Sequence, residues 1–412
     1  MKKIISAVLL LCAPVLIAAQ TSIRQIPRGT FNPRDQQRML EEDKRPEEKQ
    51  PPLYRQPAPA AAVQPRAVVV DTAPVYVPYA PATPAVVHPA PRQGKTVINS
   101  APNYQQPSHH YTSVRYIRTR SDIPNVSKGW PREVLGLSSL PEYLNGSGVN
   151  IAVFDSGVSP HGNLNGKVDV MDVTGAGQPG DEFGHGTAVT GILVGGNNSE
   201  RGFKSVASGA RVKSYKITYK ENNEHKTNNV HIENAVNSVL EYNAARPDNK
   251  IDIINISYGL SGGDERLESI LKKAYDSGIV IVAAAGNNSG GLLYPAAYNF
   301  VIGVGAMSKN KQIVPYSSFG AGLDFIAPGE DIFALGNDND YVWLDGGTSY
   351  SAAYISGIAA LIIQEWRKKN GSQPSPAQIY GVLQKISSAV PSAPSQKRGN
   401  GLPDASKIMS AV

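Results

Sequence analysis

The sequence predicts an α/β domain whose mostly parallel central sheet is flanked by helices, preceded by a disordered proline-rich arm. Three observations predict it. Five short runs are apolar almost throughout: NIAVFD (150–155), RVKSYKIT (211–218), KIDIINISYG (250–259), GIVIVAAAGN (278–287) and FVIGVGAM (300–307). Segments of helical texture alternate with them near 186–196, 230–245 and 264–277, and two more follow at 349–369 and 376–389. Upstream, sixteen of the 31 prolines fall between residues 20 and 110, where no apolar periodicity lasts two helical turns. Runs that are apolar on both faces suit parallel strands covered by helices. Their alternation with helices suits a single layered sheet domain.

Taken in order, the chain opens on MKKIISAVLLLCAPVLIAAQ, with two lysines, an apolar run from Ile4 to Ile17, then Ala18 and Ala19. This is the layout of a secretory signal over residues 1–19, and the run is short of the roughly 20 apolar residues of a membrane span. Cys12 is the only cysteine and lies inside that segment. The mature chain is therefore expected to be exported, to the periplasm, cell surface or exterior, with no thiol and no membrane span. Residues 20–122 read as an extended spacer or an atypical pro-segment, because such a composition buries too little apolar surface to offset its ordering entropy. Within it YTSVRYIRTR (111–120) alternates like a strand and equally reads as a basic site for proteolytic clipping. Residues 123–412 form the predicted domain. The chain's net charge of +6 divides into +2 on the signal, +6 on residues 20–125 and −2 on residues 126–412. A near-neutral domain of this kind does not present a nucleic-acid groove.

In parallel sheets function collects at the carboxyl ends of the strands, and three predicted strands end near polar residues: Asp155, Ser257 and Asn287. The stretch DGGTSYSAAYISGIAALI (345–362) holds three serines at the start of a predicted helix. A serine nucleophile needs a base, and no histidine follows Ser349. That order excludes an α/β-hydrolase, whose G-x-S-x-G elbow is also absent. No H-E-x-x-H metal motif is present, and the Ser269/Lys272 pair lies on an ordinary amphipathic helix with no K-T-G beyond it. What remains is Asp155, then His185, then Ser349. Asp155 follows a buried strand, where it is shielded enough to fix an imidazole tautomer. His185 stands between glycines at a helix start, whose dipole disfavours imidazolium. His161, in a Pro-Gly loop, reads as structural. If the helix starts near Ser349, Ser351 points about 200° away and Ser356 lies about 10 Å down the axis, with Thr348 left in the turn.

Residues from about 145 to 405 resemble the subtilisin-like serine proteases. VFDSGV, GHGTAVTG and GGTSYSAAYISG match that family's three signatures, while VAAAGNNS and INISYG match its oxyanion and substrate-strand segments. The resemblance implies a three-layer fold and endopeptidase action on extended peptide or unfolded protein through an acyl-enzyme. Ser349 would be the nucleophile, His185 the base and Asp155 its orienting partner. Asn287 would donate to the oxyanion. Ser257, Tyr258 and Gly259 would form one wall of the pocket for the residue before the scissile bond, Ala284, Ala285 and Gly286 the other, and Leu293 its floor, favouring small or medium apolar residues. The family's Met at the position after the nucleophile is here Tyr350, expected to crowd the leaving-group side. The chemistry needs no cofactor. Structural calcium is left unlocated, since loops such as GNDNDY (336–341) lack a recognised ligand spacing and read as solvated turns. The oligomeric state is not readable. Two rival readings stay open: a catalytically silent peptide-binding pseudoprotease tethered by the arm, and a dedicated processing protease or peptide ligase on the same fold.

Overall fold

The computed structural model describes residues 114–117, 129–177, 179–221 and 224–412. These all belong to one compact unit spanning 84–412. The predicted signal (1–19) and most of the arm lie outside the described residues.

Strands run β1 Val114–Ile117, β2 Asn150–Asp155, β3 Val168–Asp172, β4 Arg211–Lys216, β5 Tyr219–Glu221, β6 Glu224–Lys226, β7 Ile253–Ile256, β8 Val280–Ala284, β9 Ile302–Met307, β10 Phe325–Pro328, β11 Glu330–Leu335 and β12 Tyr341–Gly346. The main helices are α1 Trp130–Val134, α2 His185–Val194, α3 Asn229–Ala245, α4 Glu265–Asp276, α5 Thr348–Asn370 and α6 Pro376–Ile386. Seven strands form one sheet in the order β10-β9-β8-β7-β2-β4-β3, and every pairing in it is parallel.

The period-two alternation of the predicted runs explains the layering. On β2, Ile151 and Val153 join a core shared with α2, α5 and α6, while Ala152 and Phe154 join a second core under α3 and α4. On β8, Val280, Val282 and Ala284 face the first core, Ile281 and Ala283 the second. Each larger side chain so buried contributes about 1.5–3 kcal/mol. The five predicted runs are the five inner strands. The two strands that sequence patterning missed, β3 and β10, are the sheet's outer edges. β3 leaves Asp169, Val170 and Met171 exposed and so lacks a continuous apolar run, and β10 is four residues long and ends in proline.

Outside the main sheet, β11 and β12 form an antiparallel hairpin, and β1 pairs antiparallel with the other edge of β12, Val114 opposite Leu344 through Ile117 opposite Tyr341. The alternating stretch 111–120 thus contains a strand, upstream of the expected start of the domain. α5 is buried over its first sixteen residues, Thr348 to Ile363, as suits a helix at the heart of a domain. It closes with Arg367, Lys368 and Lys369 in the last turn, and Gly371 in left-handed conformation caps it, complementing the negative helix end.

Candidate active site

Strand order reverses at β2, which leads out to β4 and β3 on one side while β7 to β10 extend on the other. A crevice therefore opens beyond the carboxyl ends of β2 and β7. Asp155 is the last residue of β2 and is fully buried. Its Oδ1 accepts from the Ser156 backbone N–H at 2.7 Å and from His185 Nδ1 at 2.7 Å. A carboxylate only accepts, so the ring proton sits on Nδ1 and Nε2 keeps its lone pair. Asp155 Oδ2 is buried with no hydrogen-bond partner among the described residues.

His185 is the first residue of α2 and keeps 14% of its side chain exposed. Gly186 lets the helix start sit on the strand end, since a Cβ there would overlap Gly157 O. The loop leading into the histidine is wound around a carboxylate that sequence reasoning missed. Asp181 is 3% exposed and accepts from Ser156 Oγ (2.8 Å), Phe183 N (3.0 Å), Gly184 N (2.7 Å), Thr187 N (2.8 Å) and Thr187 Oγ1 (2.7 Å). Ser156 Oγ in turn accepts from Gly186 N at 2.9 Å. The available signal was an aspartate four residues before the histidine, in DEFGHGT. Burial raises the Asp181 pKa, with the Asp155 charge adding to the rise, against the hydrogen bonds from Thr187 and Ser156. For His185, burial pulls the pKa down, but the charge and hydrogen bond of Asp155, aided by Asp181, leave it raised. The two carboxylates thus outweigh burial, an influence that sequence reasoning, which considered the helix start, left out.

Across the crevice, β12 runs through Gly346 and Gly347 into α5. A Cβ on Gly346 would overlap Tyr316 Oη and Gly329 O, so the turn into the helix admits only glycine there. The helix begins at Thr348, one residue earlier than expected, and Ser349 is its second residue. Ser349 Oγ donates to Ser257 O at 3.0 Å. No hydrogen bond joins it to His185 among the described residues. The imidazole is nevertheless flanked by Ser349's neighbours, with the Tyr350 ring 5.5 Å and the Tyr258 ring 6.1 Å away between centroids. Serine hydroxyls without bound substrate commonly sit off the base. Ser351 and Ser356 are turned elsewhere, to Ala327 O and Pro328 O at 3.1 Å and to Asn255 Oδ1 at 2.9 Å. Asn287, exposed just past β8, accepts at Oδ1 from Thr348 N and Thr348 Oγ1, each at 2.9 Å. This fixes the amide so that its NH2 is the end left for another acceptor.

Comparison with known proteins settles the family. A sequence profile described as the Subtilase family matches residues 146–401. The chain belongs to the subtilase family. It is 30% identical over 257 residues to M-protease of Shouchella clausii, covering 61% of this chain and 64% of that protein. Over 223 residues it is 33% identical to Subtilisin Savinase of Lederbergia lenta, covering 54% of this chain and 78% of that protein. Alkaline elastase YaB of a Bacillus strain is 31% identical over 221 residues, covering 53% of this chain and 55% of that protein. The chain thus spans just under two thirds of the length of the M-protease it matches.

In this subtilase the two predicted pocket walls come together. Ser257, Tyr258 and Gly259 follow β7, while Ala284 ends β8 and runs into Ala285 and Gly286. Leu293 lies between them: a Cβ built on Gly259 would meet Leu293 Cδ1 at 2.6 Å, and one on Gly286 would meet Leu293 Cγ at 2.7 Å. Leu293 N donates to Ala285 O at 2.9 Å, and Leu260 and Tyr294 exchange backbone hydrogen bonds of 2.8 and 2.9 Å, tying the leucine to both walls. Tyr350 departs from expectation. It is 2% exposed and packs on the imidazole and against Gly347, so it offers the crevice little surface. His161 is structural, accepting from Asn163 N at Nδ1 and donating from Nε2 to Asp340 O at 3.0 Å. The 336–341 loop is no free solvated turn. Asn337 Nδ2 donates to Asp181 O (2.7 Å), Asn337 Oδ1 lies 3.1 Å from Thr187 Oγ1, and Asn339 Oδ1 accepts from Gly162 N (2.7 Å). Among the described residues no three His, Cys, Asp or Glu side chains form a metal-holding group, and no helix is long and apolar enough to cross a membrane.

Proposed function

We propose that this subtilase is an exported serine endopeptidase whose catalytic groups are Ser349, His185 and Asp155. The observation that carries the reading is the 2.7 Å bond from His185 Nδ1 to buried Asp155 Oδ1, which leaves Nε2 with its lone pair as the base. On substrate binding the serine hydroxyl leaves Ser257 O and gives its proton to Nε2 as Oγ attacks the scissile carbonyl. The imidazolium then protonates the leaving amine, and water repeats the sequence in reverse to release the acyl group. Only side chains, backbone and water take part in these steps. The N-terminal signal layout supports export, with residues 20–122 as a spacer or pro-segment. The test is treatment of the full chain with a fluorophosphonate, followed by mass spectrometry of its peptides. An adduct on Ser349 is expected, and an unmodified Ser349 would leave the pseudoprotease reading standing instead.

Asn287 is the proposed oxyanion donor, helped by the Ser349 backbone N–H near the start of α5. Asn287→Ala is expected to lower kcat by about 10²–10³-fold with little change in KM, read by steady-state kinetics on a peptide anilide. Leu293 is proposed to shorten the specificity pocket, so that small or medium apolar residues are preferred over large aromatics before the cleaved bond. Leu293→Gly is expected to raise kcat/KM for phenylalanine there by about 10-fold or more relative to alanine. A peptide library profiled with both enzymes checks it.

A further inference from the structure

The β11–β12 hairpin links the two halves of the proposed catalytic pair. At its tip, Asn337 bonds to Asp181 O and lies 3.1 Å from Thr187 Oγ1 in the His185 loop. At its base, β12 runs through Gly346 and Gly347 into Thr348 and Ser349, and Gly347 N donates to Gly329 O at 2.7 Å beside β11. The hairpin is therefore bonded at one end to the histidine loop and continuous at the other with the serine turn.

Over Tyr341–Leu344, the residues opposite β1, β12 lacks the features of a strand meant to be an open edge, its one charge being Asp345 beyond them. Free edges are protected by charge, proline, bulges or brevity. Tyr341, Val342, Trp343 and Leu344 carry neither charge nor proline, and all four are buried. One side of the strand is occupied by β11, and the other by β1, in a four-residue antiparallel register. After β1 the chain reaches α1, where Trp130 Nε1 donates to Asp331 O of β11 at 3.0 Å. The chain upstream of the family match thus touches both strands of the hairpin.

We propose that Val114–Ile117 is a positioning strand: a segment outside the family match that augments β12 and thereby holds Ser349 in register with His185. Peptide added to a sheet edge gains affinity from main-chain hydrogen bonds, so the occupant is this chain's own segment by virtue of its backbone and its tether. The functional domain then begins upstream of β1, and the proline-rich arm ends in a strand of the domain. The proposal rests on the protease reading for its kinetic consequence and is independent of it for the strand pairing.

The test uses the full chain with Arg115→Pro and Tyr116→Pro together. Successive N–H groups in a strand point to opposite sides, so one of the two prolines must remove a donor aimed at β12. The companion variant, Arg115→Val with Tyr116→Val, keeps a strand-forming pair. On a Ser349→Ala background, hydrogen exchange is expected to show the alternate amides of Tyr341–Leu344 that face β1 losing protection in the proline variant and keeping it in the valine variant, while those that face β11 stay protected in both. Unchanged protection of β2 and β7 certifies the fold. With Ser349 present, the proline variant is expected to lose about 10–100-fold in fluorophosphonate labelling rate and kcat, with KM near the parent value. Three results would overturn the proposal: protection of β12 unaltered by proline, protection that falls on dilution and so comes from a second copy, or lost protection with an unchanged labelling rate. The exchange arm reads the strand in an inactive chain, so a failure of the protease reading is seen separately, as no labelling in the parent.

Discussion

Ser349→Ala is expected to lower kcat/KM by about 10⁶-fold and to abolish fluorophosphonate labelling, with little change in thermal stability. The two halves of that expectation have separate causes. The rate falls because alanine offers no nucleophile, and Ser351 and Ser356 cannot substitute: their hydroxyls are buried and bonded to Ala327 O, Pro328 O and Asn255 Oδ1. Stability changes little because the substitution removes one hydrogen bond, Ser349 Oγ to Ser257 O, worth about 1 kcal/mol. Alanine's better helix propensity near the start of α5 offsets part of that loss. The residue is 6% exposed, and loss of one hydroxyl oxygen leaves little void. Steady-state kinetics and a melting curve on the same preparation check both halves. A variant that kept a substantial part of the parent rate would place the nucleophile elsewhere.

How far the site could be read from the sequence followed the range of the forces involved. The residues proposed as catalytic, Asp155, His185 and Ser349, each sit beside a local signal: a carboxylate at the end of an apolar run, a histidine between glycines, a serine after a glycine pair. The inner strands were legible because burial on both faces imposes continuous apolarity. β3 and β10 were not, because an edge strand needs no such pattern. Asp181 was hidden for another reason. Three of the five hydrogen bonds it accepts come from backbone N–H groups of residues 183, 184 and 187, and backbone donors leave no mark on residue identity. The 336–341 loop misled for the same reason: asparagine and aspartate suit a solvated turn and a clasp equally, and only the fold brings Asn337 to Asp181 and Asn339 to Gly162. The control of His185's basicity was read from the nearest feature, the helix start. Two carboxylates, one of them 30 positions earlier in the chain and bonded directly to the ring, act on it against burial and leave its pKa raised.

Asp155→Asn separates those influences. The variant is expected to lose about 10⁴-fold in kcat/KM and to shift the acid limb of its pH profile to lower pH. An asparagine oxygen at the Oδ1 position can still accept from Ser156 N and His185 Nδ1, so the ring stays in place. The amide nitrogen then occupies the buried Oδ2 position, which receives no hydrogen bond from the described residues in the parent. What is lost at His185 is the charge that stabilises imidazolium as the proton arrives from Ser349. In the parent, burial lowers the His185 pKa, and the Asp155 charge and hydrogen bond with the Asp181 charge leave it above the ordinary 6.5. The base form exists above that pKa, so parent kcat/KM rises with pH through a limb lying above 6.5. Without the Asp155 charge, burial and the helix dipole pull downward against Asp181 alone, and the limb moves down. Stability follows the same linkage. A histidine whose folded pKa is raised contributes stability that is fully present below its unfolded pKa and is lost as pH rises through the folded value. The parent's advantage in Tm over Asp155→Asn should therefore be largest on the acid side of 6.5 and shrink as pH rises. A gap independent of pH, with an unmoved acid limb, would mean that Asp155 holds the ring by shape alone.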